Sequence, residues 1–300
     1  MQVSKASTYA GFECTKIEND TLALWVTTTV GPRIIGLQLT AGNNLFAELP
    51  DATIECPGVG EYQLRGGHRL WHAPEEPGRT YLPDDDPLQV AESAGSIKFT
   101  QPVEPQTGVE KSIVINLPDQ QAQVMVEHHL KNCGSQTVEL AARAITQLKP
   151  GGVAVLPQVQ DPVDEHGLLP NRQIALWPYT DAGSQYLIWG DRFIFIQSRM
   201  EAGALKIGYP NPSGWIGYLQ EKTLFIKKAA FLPDRSYYDF RSSSECYCNP
   251  FFLELETLGP RTRLEPGESL SHLETWHIYD QVDIRFSEAS VIDLIEKLGL

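Results

Sequence analysis

Gln123-Val124-Met125-Val126-Glu127-His128-His129-Leu130 is the stretch on which the fold turns. Val124, Val126 and His128 alternate with Met125, Glu127 and His129. A period of two gives a strand one buried face and one outer face. Lys131-Asn132-Cys133-Gly134 follows as a turn, and 138–145 resumes the strand pattern. Outward from this hairpin, 22–29, 33–40, 96–100, 112–116, 193–198, 223–231, 251–255 and 274–279 read as strands as well. The 24 glycines and 21 prolines fall largely between such runs. Short strands with frequent turn signals predict an all-β, antiparallel sandwich or barrel, and no βαβ rhythm competes with it. One helix is expected, at 288–298. Ser287 caps it, and Val291, Ile292, Leu294, Ile295 and Leu298 form its apolar face. The Pro-, Gly- and Asp-rich stretch 74–87 reads as a long surface loop. No internal repeat and no shift in composition divides the chain, so residues 1–300 are expected to form a single domain.

The chain has 24 basic and 38 acidic residues, a net charge of −14 with histidine neutral. That balance repels phosphate backbones and anionic lipid, so neither nucleic acid nor a membrane is an expected partner. No apolar run approaches the ~18 residues of a transmembrane helix. The opening Met1-Gln2-Val3-Ser4-Lys5 lacks a signal-peptide core, and five cysteines form no framework. The expectation is a reducing, cytoplasmic setting.

Chemistry concentrates in Arg65-Gly66-Gly67-His68-Arg69-Leu70-Trp71-His72-Ala73-Pro74-Glu75. The glycines allow close backbone approach. If the following residues are extended, His68, Leu70 and His72 share one face while Arg69 and Trp71 share the other. Donors beside an aromatic plate suit a sugar, which has a polar rim and an apolar ring face. A core Trp71 with a surface arginine is the plainer reading. His68-x3-His72-x2-Glu75 has helical metal-ligand spacing, but Pro74 and the glycine pair oppose a helix, so no metal is expected.

In Phe251-Phe252-Leu253-Glu254-Leu255-Glu256-Thr257, Glu254 and Glu256 share a strand face with Phe252. Neighbouring carboxylates repel, and a buried one gains a raised pKa suited to general base work. A solvated strand edge is the alternative. Lys206, Asn211, Trp215 and Tyr218, with Lys227, Tyr237, Glu245 and Tyr247, are plausible pocket walls. Cys246 and Cys248 project to one side and read as packing residues. No nucleophile elbow, phosphate loop or dinucleotide fingerprint occurs.

Several of these segments, in order, resemble the galactose mutarotase-like (aldose 1-epimerase-like) superfamily. They are Gly31-Pro32-Arg33-Ile34-Ile35-Gly36-Leu37 with Gly42-Asn43-Asn44-Leu45-Phe46, Arg65-Gly66-Gly67 before Trp71-His72-Ala73-Pro74, the hairpin around Leu130-Lys131-Asn132-Cys133-Gly134, and Phe252–Glu256 leading to His272-Leu273-Glu274-Thr275-Trp276. The nearest likeness is a branch carrying Trp177-Pro178-Tyr179-Thr180-Asp181 and Leu255-Glu256-Thr257-Leu258-Gly259-Pro260. The resemblance implies a large antiparallel β-supersandwich with a C-terminal helix and a sugar site on its concave face. It also implies a cofactor-free isomerase, in which a Glu takes the anomeric proton and a His protonates the ring oxygen. Glu256 matches that Glu, with Glu254 as its neighbour, and Arg65 or Arg69 matches the substrate-binding Arg. The likeness departs at the family's catalytic His, because Ala141-Ala142-Arg143-Ala144-Ile145-Thr146-Gln147-Leu148 contains none. His68, His72 or a tyrosine must then supply the acid, or the reaction is absent. Two functions follow: anomer interconversion, or carbohydrate binding on a scaffold without catalysis. A small carbohydrate is the expected partner, and a homodimer is compatible with either.

Overall fold

The computed structural model describes residues 1–283 and 287–299. Two large antiparallel sheets face each other. The first runs, in spatial order, Gln2–Tyr9, Phe12–Glu18, Leu22–Thr27, Arg33–Leu39, His68–Ala73, Val138–Leu148, Leu253–Leu258, Ser244–Cys248, Leu205–Tyr209 and Ala175–Leu176, with Thr262–Leu264 paired to the start of Val138–Leu148. The second runs Leu187–Trp189, Phe193–Gln197, Val153–Pro157, Trp215–Gln220, Thr223–Ala229, Ser269–Tyr279, Gln123–Asn132, Val109–Asn116, Ser96–Thr100 and Gln89–Ser93. A separate two-stranded ribbon, Glu48–Cys56 with Gly60–Gly66, lies outside both.

Alternation builds the core. Val124, Val126 and Leu130 point inward from the second sheet and meet Leu24, Val26, Ile34 and Leu70 from the first. Phe46 stands edge-on to Phe225 and to Trp276, with ring centroids 6.3 and 5.8 Å apart. Such aromatic pairs add about 0.5–1.5 kcal/mol beyond the area they bury. Each of the ten expected strand segments coincides with a strand, and five of them overrun its end by one or two residues. The ten segments do not include Gln2–Tyr9 and Glu48–Cys56, whose residues are largely exposed and so carry little hydrophobic period, nor several buried strands, among them Phe12–Glu18, Val153–Pro157 and Trp215–Gln220. The helix Glu288–Leu298 forms as expected. Ser287 Oγ accepts the Ser290 N–H at 3.2 Å, and Gly299 closes it in the left-handed region at φ 67°. Its buried Val291 and Ile295 pack on Phe193, Phe195 and Trp215. Among the described residues no helix is long and apolar enough to cross a membrane.

Arg65, Gly66 and Gly67 all have positive φ, so the chain turns sharply out of the ribbon into the central strand His68–Ala73. The close approach that the glycines permit is to the protein's own backbone. A Cβ on Gly66 would sit 2.0 Å from the Ala47 carbonyl oxygen, and one on Gly67 would sit 2.3 Å from that of Ile34. Neither neighbour can yield without breaking a strand. Gly66→Ala is therefore expected to lower unfolding stability by at least ~2 kcal/mol in urea titration.

Candidate functional site

Strand register assembles one polar face on the outside of the first sheet. Directly opposed residues share a face. Trp71 opposes Arg143, Arg69 opposes Ile145, Gln147 opposes Glu254, Ile145 opposes Glu256, Glu256 opposes Glu245, and Tyr247 opposes Lys206. The ribbon and loop 74–87 fold over this face. Between them lies a cavity of about 300 Å³, lined by Ile54, Leu64, Arg69, Trp71, Glu75, Tyr81, Arg143, Tyr179, Ala204, Lys206, Tyr247, Phe252 and Glu254.

Its walls are aromatic. Trp71 packs edge-on to Tyr62 and Tyr81, at 5.7 and 5.1 Å, and donates its indole N–H to Tyr62 Oη at 3.1 Å. The Arg69 guanidinium stacks 4.2 Å from the Trp71 ring. Its Nη2 donates to Glu254 Oε1 at 3.1 Å, and Gln147 Nε2 reaches the same oxygen at 2.9 Å. Arg69 Nε, Arg69 Nη1 and Gln147 Oε1 are buried with no partner. Unsatisfied buried polar atoms are rare in folded proteins, and a cluster of them marks a place built for a ligand or ordered water.

The floor is a closed charge network. Arg143 Nε donates to Glu256 Oε2 at 2.6 Å, Nη1 to Glu75 Oε2 at 2.6 Å and Nη2 to Glu245 Oε2 at 3.2 Å. Lys206 Nζ lies 2.8 Å from both Glu245 Oε2 and Glu256 Oε1. Burial pushes Glu245 up to about 8, against the pull of Lys206 and Arg143. Burial acts on Glu256 in the same sense, but Arg143 and Lys206 outweigh it and bring it down to about 2. Burial also raises Glu254, with Arg69 opposing. Two carboxyls in opposite strands thus hold different protonation states near neutral pH, which keeps three cations and four acids in balance.

The face seen in the sequence holds for part of the candidate set. Arg69, Trp71, Lys206 and Glu254 line the cavity, and Glu256 sits fully buried beneath it. His68 and His72 are a correction. They share the opposite face of the central strand with Leu70 and point between the sheets. His72 is buried there with its Nε2 3.6 Å from Glu104. Arg65 is turned away by its positive φ and bound to Asp84, at 2.7 Å, and to Asp85. Asn211 is buried, donating to the Trp215 carbonyl at 2.9 Å and to Ser244 Oγ at 3.0 Å. Trp215 packs under the C-terminal helix, and Tyr218 donates to the Lys149 carbonyl at 2.6 Å inside the core. These three lie away from the cavity because the loop that carries them leads into the second sheet. Arg143, Gln147, Tyr81 and Tyr179 had no site role in the sequence reading, and Glu75 entered it only in the metal-like spacing with His68 and His72. The alternation Arg143, Ile145, Gln147 carried the signal, since it breaks an otherwise apolar strand with polar residues on one face.

His68 belongs to a second polar cluster, enclosed between the sheets. His128 Nδ1 donates to the His272 carbonyl at 2.9 Å. Its Nε2 therefore accepts from His68 Nε2–H at 2.7 Å, and His68 Nδ1 accepts from the Thr146 hydroxyl at 2.9 Å. Lys227 Nζ donates to Thr146 Oγ1 at 3.1 Å and pairs with Glu274 at 2.9 Å. Thr257 donates to Glu274 and accepts from His272 Nε2–H at 2.7 Å. Burial keeps all three imidazoles neutral, His272 being brought down to about 3. His68, His128 and Glu274 converge as a metal triad would. The two imidazole nitrogens are committed to each other, however, and Glu274 is committed to Thr257, Trp276 and Lys227.

No family model matches the chain, and no curated protein matches it. Solved structures do. A galactose mutarotase-like protein from Lactobacillus casei superposes with a TM-score of 0.56 at 11% identity, over 88% of this chain and 99% of the other. A galactose mutarotase related enzyme from Lactobacillus acidophilus gives 0.55 at 11%, over 90% and 99%. A "putative aldose 1-epimerase" from Klebsiella pneumoniae gives 0.63 at 10%, over 99% and 86%. The superpositions cover most of this chain and of each of the others, and they give this chain the galactose mutarotase-like fold.

Proposed function

We propose that this chain binds a carbohydrate in the Trp71 cavity and does not interconvert anomers through a glutamate–imidazole pair. The observation that carries the reading is the pairing of aromatic walls with a fixed polar floor. Trp71, Tyr81, Tyr247 and Phe252 offer surfaces to the apolar face of a sugar ring. Arg69, with two unpartnered N–H groups, and the Gln147 and Glu254 oxygens offer donors and acceptors to its hydroxyls. Two features weigh against the superfamily reaction. Among the described residues no imidazole lines the cavity. Glu256, held near 2 by Arg143 and Lys206, is a weak base at neutral pH.

One observation favours a catalytic variant. Glu254 faces the cavity, and burial raises its pKa toward the range useful for proton transfer. The two readings separate in one experiment. Saturation-transfer NMR with a panel of free aldoses is expected to show saturable binding. In Trp71→Ala, affinity should fall about tenfold or more, since a stacked aromatic wall is lost. Polarimetry on the same sugars should return the buffer rate of anomer exchange. An accelerated rate that Glu254→Gln abolishes would establish the catalytic variant, and the absence of binding by every sugar tested would end the carbohydrate reading.

A further inference from the structure

We propose that the ligand is the end of a glycan chain, with its terminal ring in the Trp71 cavity and its next ring in an adjoining cleft between Trp177 and Phe240. The proposal rests on the carbohydrate reading above and names the class of ligand. After the edge strand Ala175–Leu176, the segment Trp177-Pro178-Tyr179 forms a wall common to two depressions. Tyr179 lines the first cavity, while Trp177 and Pro178 line a second of about 350 Å³ with Asp239 and Phe240. Lys206, on the floor of the first, has its Nζ 4.7 Å over the Trp177 ring. The two hollows therefore adjoin at this segment, where Tyr179 is 49% exposed.

The second hollow is built at a cost. Asp239, Phe240 and Arg241 are consecutive non-glycine residues in the left-handed region, at φ 50°, 56° and 65°. Ser242 holds the turn, its Oγ donating to the Asp239 carbonyl at 2.6 Å and its N–H to that of Tyr238 at 3.1 Å. Burial does not offset this strain, because Phe240 remains 78% exposed. Backbone strain that presents a side chain to solvent is characteristic of binding segments. Beside the Phe240 ring, Asp239 Oδ2 is buried and lacks a partner. An exposed aromatic face next to an unpaired acceptor matches the needs of a second sugar ring: C–H groups against the ring, and a hydroxyl donating to the carboxylate.

The test is the dependence of affinity on chain length. Glucose, galactose and N-acetylglucosamine are titrated by calorimetry alongside their α1,4- and β1,4-linked di-, tri- and tetrasaccharides. The wild-type protein should bind the disaccharide of the preferred series about tenfold more tightly than its monosaccharide, with no further gain at four rings. Phe240→Ala and, separately, Asp239→Asn should leave monosaccharide affinity unchanged and remove most of that gain. Equal affinity for one and two rings, or a gain that survives both substitutions, overturns the proposal and leaves the carbohydrate reading standing. Failure of every saccharide to bind overturns both. A mass in sedimentation that doubles with concentration in the wild type but not in Phe240→Ala assigns the cleft to a second copy of the chain and also overturns it.

Discussion

Replacing Arg143 with methionine should cost about 3–5 kcal/mol of unfolding stability at pH 7.5, the range for a buried ion pair broken on one side. Arg143 is almost fully buried and touches Glu75, Glu245 and Glu256 at once. Methionine keeps most of the volume and removes the charge, so the loss is electrostatic rather than a cavity. Lys206 remains, but a single ammonium cannot balance Glu256 and Glu75 together. The sign of the pH dependence follows. Without Arg143 the folded pKa values of Glu256 and Glu75 rise, so acidification neutralises them and part of the deficit disappears. Urea unfolding at pH 7.5 and pH 5.5 should show the larger penalty at the higher pH. The double variant Arg143→Met with Glu256→Gln should be less unstable than Arg143→Met alone, because the stranded carboxylate is gone. An Arg143→Met protein as stable as the wild type at pH 7.5 would show that the network contributes nothing to the fold.

The sandwich was legible because its central strands keep a period of two over long runs. Gln123–Asn132 is paired on both sides and buries alternate residues, so its pattern survives unaltered in the sequence. The same period placed Arg69 with Trp71, and Glu254 with Glu256, on one face. It also placed His68 and His72 on the other face, where both point between the sheets. What the period cannot give is which strands become neighbours. His68 meets His128 across 60 residues, and Arg143 meets Glu256 across 113. Lys206 reaches Glu245 and Glu256 only because Leu205–Tyr209 pairs with Ser244–Cys248. The long connection 158–174 that precedes this sheet edge shows no regular pattern of its own. The left-handed turn at Asp239 had no sequence signal either, since strain of this kind is normally marked by glycine and none is present there.

Acid should unfold this protein well before its carboxylates titrate as free groups. His68, His128 and His272 are neutral and enclosed between the sheets, each with its folded pKa lowered chiefly by burial. In the unfolded chain each titrates near 6.5. Below that value the unfolded state binds more protons than the folded one, so stability falls as pH falls. His272, brought down to about 3, alone accounts for a loss of about 2 kcal/mol at pH 5. His68 and His128 add to it in the same direction. Glu245 acts oppositely. Its folded pKa of about 8 makes it a proton acceptor on folding between pH 8 and its unfolded value, so acidification over that window stabilises through this one group. From pH 8 to 6.5 protonation of Glu245 should raise stability by about 1–2 kcal/mol. Below pH 6.5 the buried imidazoles, His72 among them, outnumber the raised carboxyls Glu245 and Glu254, and stability should fall. Below about 4.5 the lowered carboxylates Glu256 and Glu274 join the loss. Unfolding midpoints in urea at pH 8, 6.5 and 5 measure the curve, and an optimum near pH 6.5–7 is expected. His272→Asn retains an N–H toward Thr257 and removes one titrating group, so its acid limb should be shallower by about one proton. Midpoints unchanged between pH 7 and 5 would mean that these imidazoles titrate in the folded state as freely as in the unfolded chain.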